Sequence, residues 1–96
     1  MKNFAEVEQL LYLNKKRIAR KYNIKRIALF GSIVRGDFTA SSDVDILVEF
    51  EKPIGLDFVL LADELEQLLN VKVDLVTLNS IKPLMFEKIK QELVYV

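Results

Sequence analysis

The chain is organised around one stretch, Phe30-Gly-Ser-Ile-Val-Arg-Gly-Asp-Phe-Thr-Ala-Ser-Ser-Asp-Val-Asp-Ile-Leu-Val48. An apolar segment enters the Gly31-Ser32 corner, a polar loop follows, and the chain returns through Asp43 and Asp45 into a second apolar segment. Glycine permits the close backbone approach that lets exposed N–H groups bind phosphate oxygens. Carboxylate oxygens are ligands for divalent cations. The stretch therefore predicts a site for a metal-bound phosphate.

Length and composition predict one globular domain over residues 1–96. The chain has 96 residues, of which 51% are hydrophobic and 29% charged, and its net charge is +0; these values are ordinary for a folded soluble domain with a modest core. It contains no Cys and no His, so disulfides, thiolate sites, zinc hydrolases and His-based acid–base schemes are excluded. A metal must then be held by oxygen ligands, which favours Mg²⁺, Mn²⁺ or Ca²⁺ over zinc or copper.

Two further features concern location and partners. No apolar run has the character of a signal peptide or the length of a membrane span, so we expect a cytoplasmic protein that does not act at a membrane.

Half of the 14 basic residues lie between Lys15 and Arg26, which hints at a partner or nucleotide surface. The simpler interpretation is a solvated helix face, and the run is too generic to indicate nucleic-acid binding.

Hydrophobic periodicity predicts the element order α-β-(short α)-β-α-β-α. The predicted elements are a helix over 3–22, a strand over 25–30, a helical turn over 33–36, a strand over 43–50, a helix over 58–70, a strand over 71–78 and a helix from about residue 83. Asn23 and Asn70 are predicted helix ends, and Asn79-Ser80 is the predicted N-cap region of the last helix. Residues 93–96 are expected to pack on the chain's own sheet, with pairing to another chain, and hence an oligomer, as the alternative.

Three aspartates are the candidate catalytic and metal-binding residues. Asp43 and Asp45 lie two apart on a predicted strand, so both side chains project to one face. Asp74 lies within an apolar strand, where a lone carboxylate is costly to bury. If these two strands are parallel neighbours, the three side chains gather on one side of the sheet and a divalent cation offsets their repulsion. The alternatives are solvated turn residues for Asp43 and Asp45, and an exposed Asp74 paired with Lys72.

The nucleotide-binding candidates are Gly31, Ser32 and Arg35. A corner after a strand can present backbone N–H groups and the Ser32 hydroxyl to phosphate oxygens. Arg35 is a candidate phosphate contact or carboxylate partner, with a plain surface arginine as the alternative. The Walker and G-x-G-x-x-G phosphate-binding patterns are absent.

The combination resembles the nucleotidyltransferase superfamily of DNA polymerase beta, and within it the minimal nucleotidyltransferase (MNT) domains of MntA-like antitoxins. The similarity rests on GSIVRGDFTASSDVDILVEF followed by VKVDLV and covers essentially the whole chain. It implies an α+β nucleotidyltransferase fold, with a small mixed β-sheet flanked by helices. It also implies that Gly31 and Ser32 contact the ATP triphosphate, and that Asp43, Asp45 and Asp74 surround two Mg²⁺ ions, with Mn²⁺ as a substitute.

This resemblance implies an enzyme. The expected activity is that of a protein adenylyltransferase antitoxin, which transfers AMP from ATP to a tyrosine of a HEPN-family RNase toxin. Two metal ions would assist an in-line displacement, and Asp74 is the candidate general base. One alternative is a binding module with a vestigial site that neutralises the HEPN partner by occlusion; another is nucleotidyl transfer to a small molecule or an RNA end.

Overall fold

A computed structural model describes residues 2–96, which form a four-stranded sheet with four α-helices. The helices are α1 (Phe4–Tyr22), α2 (Ser32–Arg35), α3 (Asp57–Leu69) and α4 (Pro83–Ile89). The strands are β1 (Ile24–Phe30), β2 (Val44–Phe50), β3 (Val73–Thr77) and β4 (Val94–Tyr95), and they lie in the order β3-β2-β1-β4. Strand β1 pairs antiparallel with β2 and β4, whereas β2 pairs parallel with β3. The predicted α+β fold with a mixed sheet is confirmed.

The hydrophobic core lies between one face of the sheet and helices α1 and α3. On β2 the alternate residues Val44, Ile46 and Val48 are fully buried, as a period of two requires. Leucines spaced four residues apart on α3 belong to the same core cluster, and α1 contributes a similar row of apolar side chains. The main buried residues of these helices are Val7, Leu11, Ile18, Leu61, Leu65 and Leu69. Burial of each such side chain contributes about 1.5–3 kcal/mol to folding.

Asparagines end the two long helices. Asn23 has φ 57° and Asn70 has φ 54°, the left-handed conformation that asparagine tolerates better than most residues. Each donates its backbone N–H to the last helical turn, to Ala19 O and Glu66 O respectively. Both predicted helix ends are therefore confirmed.

Glu64 on α3 joins this helix to α1. Its carboxylate accepts hydrogen bonds from Arg17 Nη1 at 2.6 Å, Lys21 Nζ at 2.9 Å and the Tyr22 hydroxyl at 2.8 Å. These donors, Arg17 first, lower the pKa of Glu64 to about 2. Lys25 and Arg26 likewise pair with Glu49, so four of the seven basic residues between Lys15 and Arg26 form ion pairs inside the domain. This weakens the prediction of a partner surface there.

The C-terminal part differs from the prediction in one respect. Asn79 and Ser80 do not cap α4; they belong to a 3₁₀ turn (Leu78–Ser80), in which the Ser80 hydroxyl donates to Thr77 O at 2.9 Å. Lys82 precedes α4 and Pro83 occupies its first turn. The last residues pack on the chain's own sheet as expected, because β4 pairs with Ala28 and Leu29. No helix among residues 2–96 is long and apolar enough to cross a membrane.

Candidate active site

Asp45 and Asp74 stand side by side on the two parallel strands. The register of β2 and β3 makes them direct partners, each the second residue of its strand. Asp45 is half-buried, whereas Asp74 is exposed. Burial, the nearby Asp74 and the more distant charge of Asp43, in that order, raise the pKa of Asp45 to about 6. The expectation that these strands are parallel neighbours is confirmed, and it brings the two carboxylates together.

Gly31 contacts the Asp45 carboxylate through its backbone. Strand β1 runs antiparallel to β2 and pairs Phe30 with Asp45, so the next residue lies against that side chain. A Cβ atom at Gly31 would stand 2.0 Å from Asp45 Oδ2 and 3.0 Å from its Cγ, and φ is +78° there. Both the space and the backbone conformation therefore require glycine.

Helix α2 starts at the Gly31-Ser32 corner as one short turn. Its hydrogen bonds run back from Val34 and Arg35 to Gly31 O, each 3.0 Å long, and from Gly36 to Ser32 O. The amides of Ser32 and Ile33 are first-turn donors, which a helix leaves without an intrahelical acceptor. The corner is therefore suited to accept an anion beside Asp45, as predicted from the sequence, although phosphate binding by Gly31 and Ser32 stays a prediction.

Arg35 lies at the end of α2 and contacts two carboxylates. Its Nη1 donates to Glu92 Oε2 at 2.7 Å, and its Nε lies 3.5 Å from Asp37 Oδ1. The guanidinium is also close enough to Asp45 to oppose in part the rise of that residue's pKa. The structure thus gives Arg35 a carboxylate partner outside the Asp45 and Asp74 pair, and its predicted phosphate contact stays a prediction.

Asp43 is the most peripheral of the three aspartates. It is exposed, directly before β2, and it affects Asp45 only through charge repulsion, whereas Asp74 is also within hydrogen-bonding reach. Among residues 2–96, no three or more Asp, Glu, His or Cys side chains form a ready-made metal-binding group. The ligand role of Asp43 stays a prediction.

The donor chemistry nevertheless fits a hard divalent cation. Asp45 and Asp74 present carboxylate oxygens, the ligands that Mg²⁺ prefers. Their mutual repulsion, expressed in the raised pKa of Asp45, is the kind of electrostatic cost that a bound cation removes. A metal would therefore be held by Asp45 and Asp74, with Asp43 available at the rim.

Sequence reasoning missed Glu92 beside the site. This residue lies 57 positions after Arg35, in the turn between α4 and β4, and its side chain is only 21% exposed. No periodicity or motif singles it out, because its contact depends on the pairing of β4 with β1. Glu92 and Asp37 both contact Arg35 although neither was predicted as a site residue, and the contact with Glu92 is the shorter, at 2.7 Å against 3.5 Å.

One cavity of the domain lies away from these carboxylates. It has a volume of about 510 Å³ and lies at the carboxyl ends of β2 and β3, where Phe50, Thr77 and the loop before α3 line it. Asp45 and Asp74 lie near the opposite ends of the same strands. At the candidate site itself Asp45 is half-buried and Asp74 is exposed to solvent.

Comparison with known proteins agrees with this geometry. The family model described as the nucleotidyltransferase domain matches residues 13–96. The protein adenylyltransferase MntA of Thermococcus cleftensis is 41% identical over 97 residues, covering 100% of this chain and 98% of its own. The match includes the region of all six predicted site residues.

Two solved structures share the fold of this chain, one of a single protein and one of a toxin–antitoxin complex. A protein assigned as a minimal nucleotidyltransferase superposes with a TM-score of 0.76 at 32% identity, covering 97% of this chain and 95% of its own. A tri-AMPylated HEPN toxin of Shewanella oneidensis in complex with its MNT antitoxin gives a TM-score of 0.65 at 26% identity, covering 91% and 69%. With a family match that spans most of the chain and a relative aligned along its whole length, this chain belongs to the nucleotidyltransferase domain family and is an enzyme of that class.

Proposed function

We propose that this chain is a protein adenylyltransferase antitoxin, which transfers AMP from ATP to a tyrosine hydroxyl of a HEPN-family toxin. The observation that carries the proposal is the 41% identity with the protein adenylyltransferase MntA along essentially the full length of both chains. The pairing of Asp45 with Asp74 beside the Gly31 corner supports it, because a nucleotidyltransferase needs carboxylates next to the triphosphate.

In the proposed reaction, the tyrosine oxygen forms a bond to the α-phosphorus of ATP while the bond from that phosphorus to the bridging oxygen breaks. Pyrophosphate leaves, and the hydroxyl proton passes to a base. Asp74 is the candidate base, because it is exposed and stands beside Asp45. The Ser32 and Ile33 amides and Arg35 bind and orient the phosphates.

Bound Mg²⁺ would supply charge neutralisation of the triphosphate and activation of the acceptor hydroxyl. Asp45 and Asp74 would hold it, with Asp43 as a further ligand. The chain's own residues hold the Asp45 carboxylate against Gly31 and orient the phosphates at the start of α2. We expect this chemistry in the cytoplasm, where ATP and Mg²⁺ are available.

The test is to incubate the purified chain with a HEPN toxin encoded beside it, ATP and Mg²⁺, and to measure the intact mass of the toxin. We expect mass increases in steps of one AMP, located on tyrosine by peptide mass spectrometry. The Asp45→Asn variant should bind the toxin but add no AMP. An unmodified toxin after incubation with protein of verified Mg²⁺–nucleotide binding would overturn the proposal.

A double variant at Asp43 and Asp45 separates catalysis from occlusion. If a vestigial site merely blocked the toxin, Asp43→Asn/Asp45→Asn would still neutralise its RNase activity. Under the proposed function, the double variant leaves the toxin active. AMP transfer to an RNA end, with none to the toxin, would instead indicate another acceptor class.

A further inference from the structure

One side chain of the C-terminal segment, that of Glu92, contacts the candidate site. Glu92 Oε2 accepts the hydrogen bond of Arg35 Nη1 at 2.7 Å, and the Glu92 side chain is 21% exposed, against 51% for that of Arg35. The Glu92 carboxylate is thus the more buried partner. The Arg35 guanidinium is more exposed to solvent and is close enough to Asp45 to act on it by charge. Glu92 is therefore placed to restrain the arginine.

Backbone pairing fixes the position of Glu92 itself. Its N–H donates to Ile89 O at 2.8 Å, which closes the turn after α4. Two residues later β4 begins, and Val94 and Tyr95 pair with Leu29 and Ala28 of β1. Strand β1 leads directly into Gly31, so the same strand anchors the segment that carries Glu92 and the corner that starts α2.

We infer that Glu92 is a positioning residue for nucleotide binding, which holds the Arg35 guanidinium beside the phosphate corner and makes the C-terminal segment part of the active site. This inference rests on the proposed function in assigning ATP to the corner. Arg35 has several rotatable bonds, and a flexible arginine loses much rotamer freedom when it binds a phosphate. With Nη1 bonded to Glu92 and Nε facing Asp37 Oδ1 at 3.5 Å, the Nη2 donors of the planar guanidinium stay available for the ligand.

The test is a double-mutant cycle on binding of the non-hydrolysable ATP analogue AMP-PNP with Mg²⁺, measured by isothermal titration calorimetry. We expect Glu92→Gln to weaken binding by roughly five- to tenfold, the size of a lost pre-ordering effect. Arg35→Gln should weaken binding more, and adding Glu92→Gln to it should cause no further loss, because Glu92 acts through Arg35. Binding of adenosine, which has no phosphate, should be insensitive to Glu92→Gln, because Arg35 is proposed to contact only the phosphates.

Glu87→Gln is the matched control, because Glu87 forms an exposed i,i+3 ion pair with Lys90 on α4. It should leave AMP-PNP binding unchanged. Thermal unfolding of each variant reports folding, and Glu92→Asp, which keeps the charge but shortens its reach, replaces Glu92→Gln if that variant does not fold. Unchanged or tighter AMP-PNP binding by Glu92→Gln would overturn the inference. An equal loss of affinity from Glu92→Gln in the wild type and in the Arg35→Gln variant would overturn it too. Failure of the wild-type chain to bind AMP-PNP would instead refute the proposed function.

Discussion

Substitution of Gly31 by alanine tests the contact that organises the site. The added Cβ would stand 2.0 Å from Asp45 Oδ2, so the two atoms must separate by more than 1 Å to regain ordinary contact. The backbone at Gly31 has φ 78° and ψ −152°, a region almost restricted to glycine, and an L-residue there costs about 1–3 kcal/mol. We therefore expect Gly31→Ala to lose both stability and activity.

The expected magnitudes follow from these two effects. A loss of about 1–3 kcal/mol lowers the Tm of a domain of this size by roughly 5–20 °C. A displacement of a catalytic carboxylate by about 1 Å costs on the order of 100-fold in rate. Thermal unfolding and AMP transfer to the protein acceptor measure the two losses separately.

Gly55→Ala is the matched control, because Gly55 also has a positive φ, +57°, but no atom lies within 4 Å of its added Cβ. It should show a smaller loss of stability and normal activity. The clash also predicts that Gly31→Ala destabilises an Asp45→Ala variant less than it destabilises the wild type. Full activity of Gly31→Ala, with a Tm equal to that of Gly55→Ala, would refute the reasoning.

Three other predictions concern carboxylates. The pKa of Asp45 is about 6 in the folded chain, above its ordinary value of 3.8, so metal-free protein should lose stability as pH rises from about 4 to 6. The full shift corresponds to about 3 kcal/mol, and solvent screening of this half-buried group reduces it, so Asp45→Asn should abolish the loss and be more stable than the wild type at pH 8 by about 1–2 kcal/mol. A flat wild-type profile of urea unfolding against pH would contradict this prediction. Millimolar Mg²⁺ should raise the Tm of the wild type but not of Asp74→Asn; equal shifts would show that the cation binds elsewhere. Glu64→Gln should lower the free energy of unfolding by about 1 kcal/mol at pH 7, whereas Asp63→Asn on the same helix should not. Because the pKa of Glu64 is lowered to about 2 from 4.5, its contribution is present above pH 4.5 and is lost as pH falls toward 2, so unfolding curves of Glu64→Gln and wild type should converge in acid.

The order of helices and strands was predictable because it depends on local patterns. Alternation of Val44, Ile46 and Val48 identifies a strand, and asparagines at positions 23 and 70 can adopt the left-handed conformation that ends a helix. These properties reside in a few consecutive residues. The family resemblance carried by the GSIVRGDFTASSDVDILVEF stretch is confirmed for the same reason, since the motif is contiguous.

Local patterns could not decide between two conformations where the same residues favour both. Asn79 and Ser80 have the composition of a helix cap, but equally that of a 3₁₀ turn, and Ser80 in fact bonds back to Thr77. The basic residues of α1 were likewise ambiguous, because only the packing of α3 shows that Arg17 and Lys21 meet Glu64.

The sequence by itself determined the order of the helices and strands, because hydrophobic periodicity is a local property. The shared face of Asp43 and Asp45 stays a prediction, since Asp43 lies just before β2. The sequence left open whether Asp74 is buried or exposed. Only the tertiary structure decided that Asp74 is exposed and is the direct strand neighbour of Asp45, that Gly31 touches the Asp45 carboxylate, and that Glu92 accepts a hydrogen bond from Arg35. Each of these contacts joins segments that are distant along the chain. Their distances depend on strand register and on which strands are neighbours, and both are set by packing of the whole domain rather than by local backbone preference.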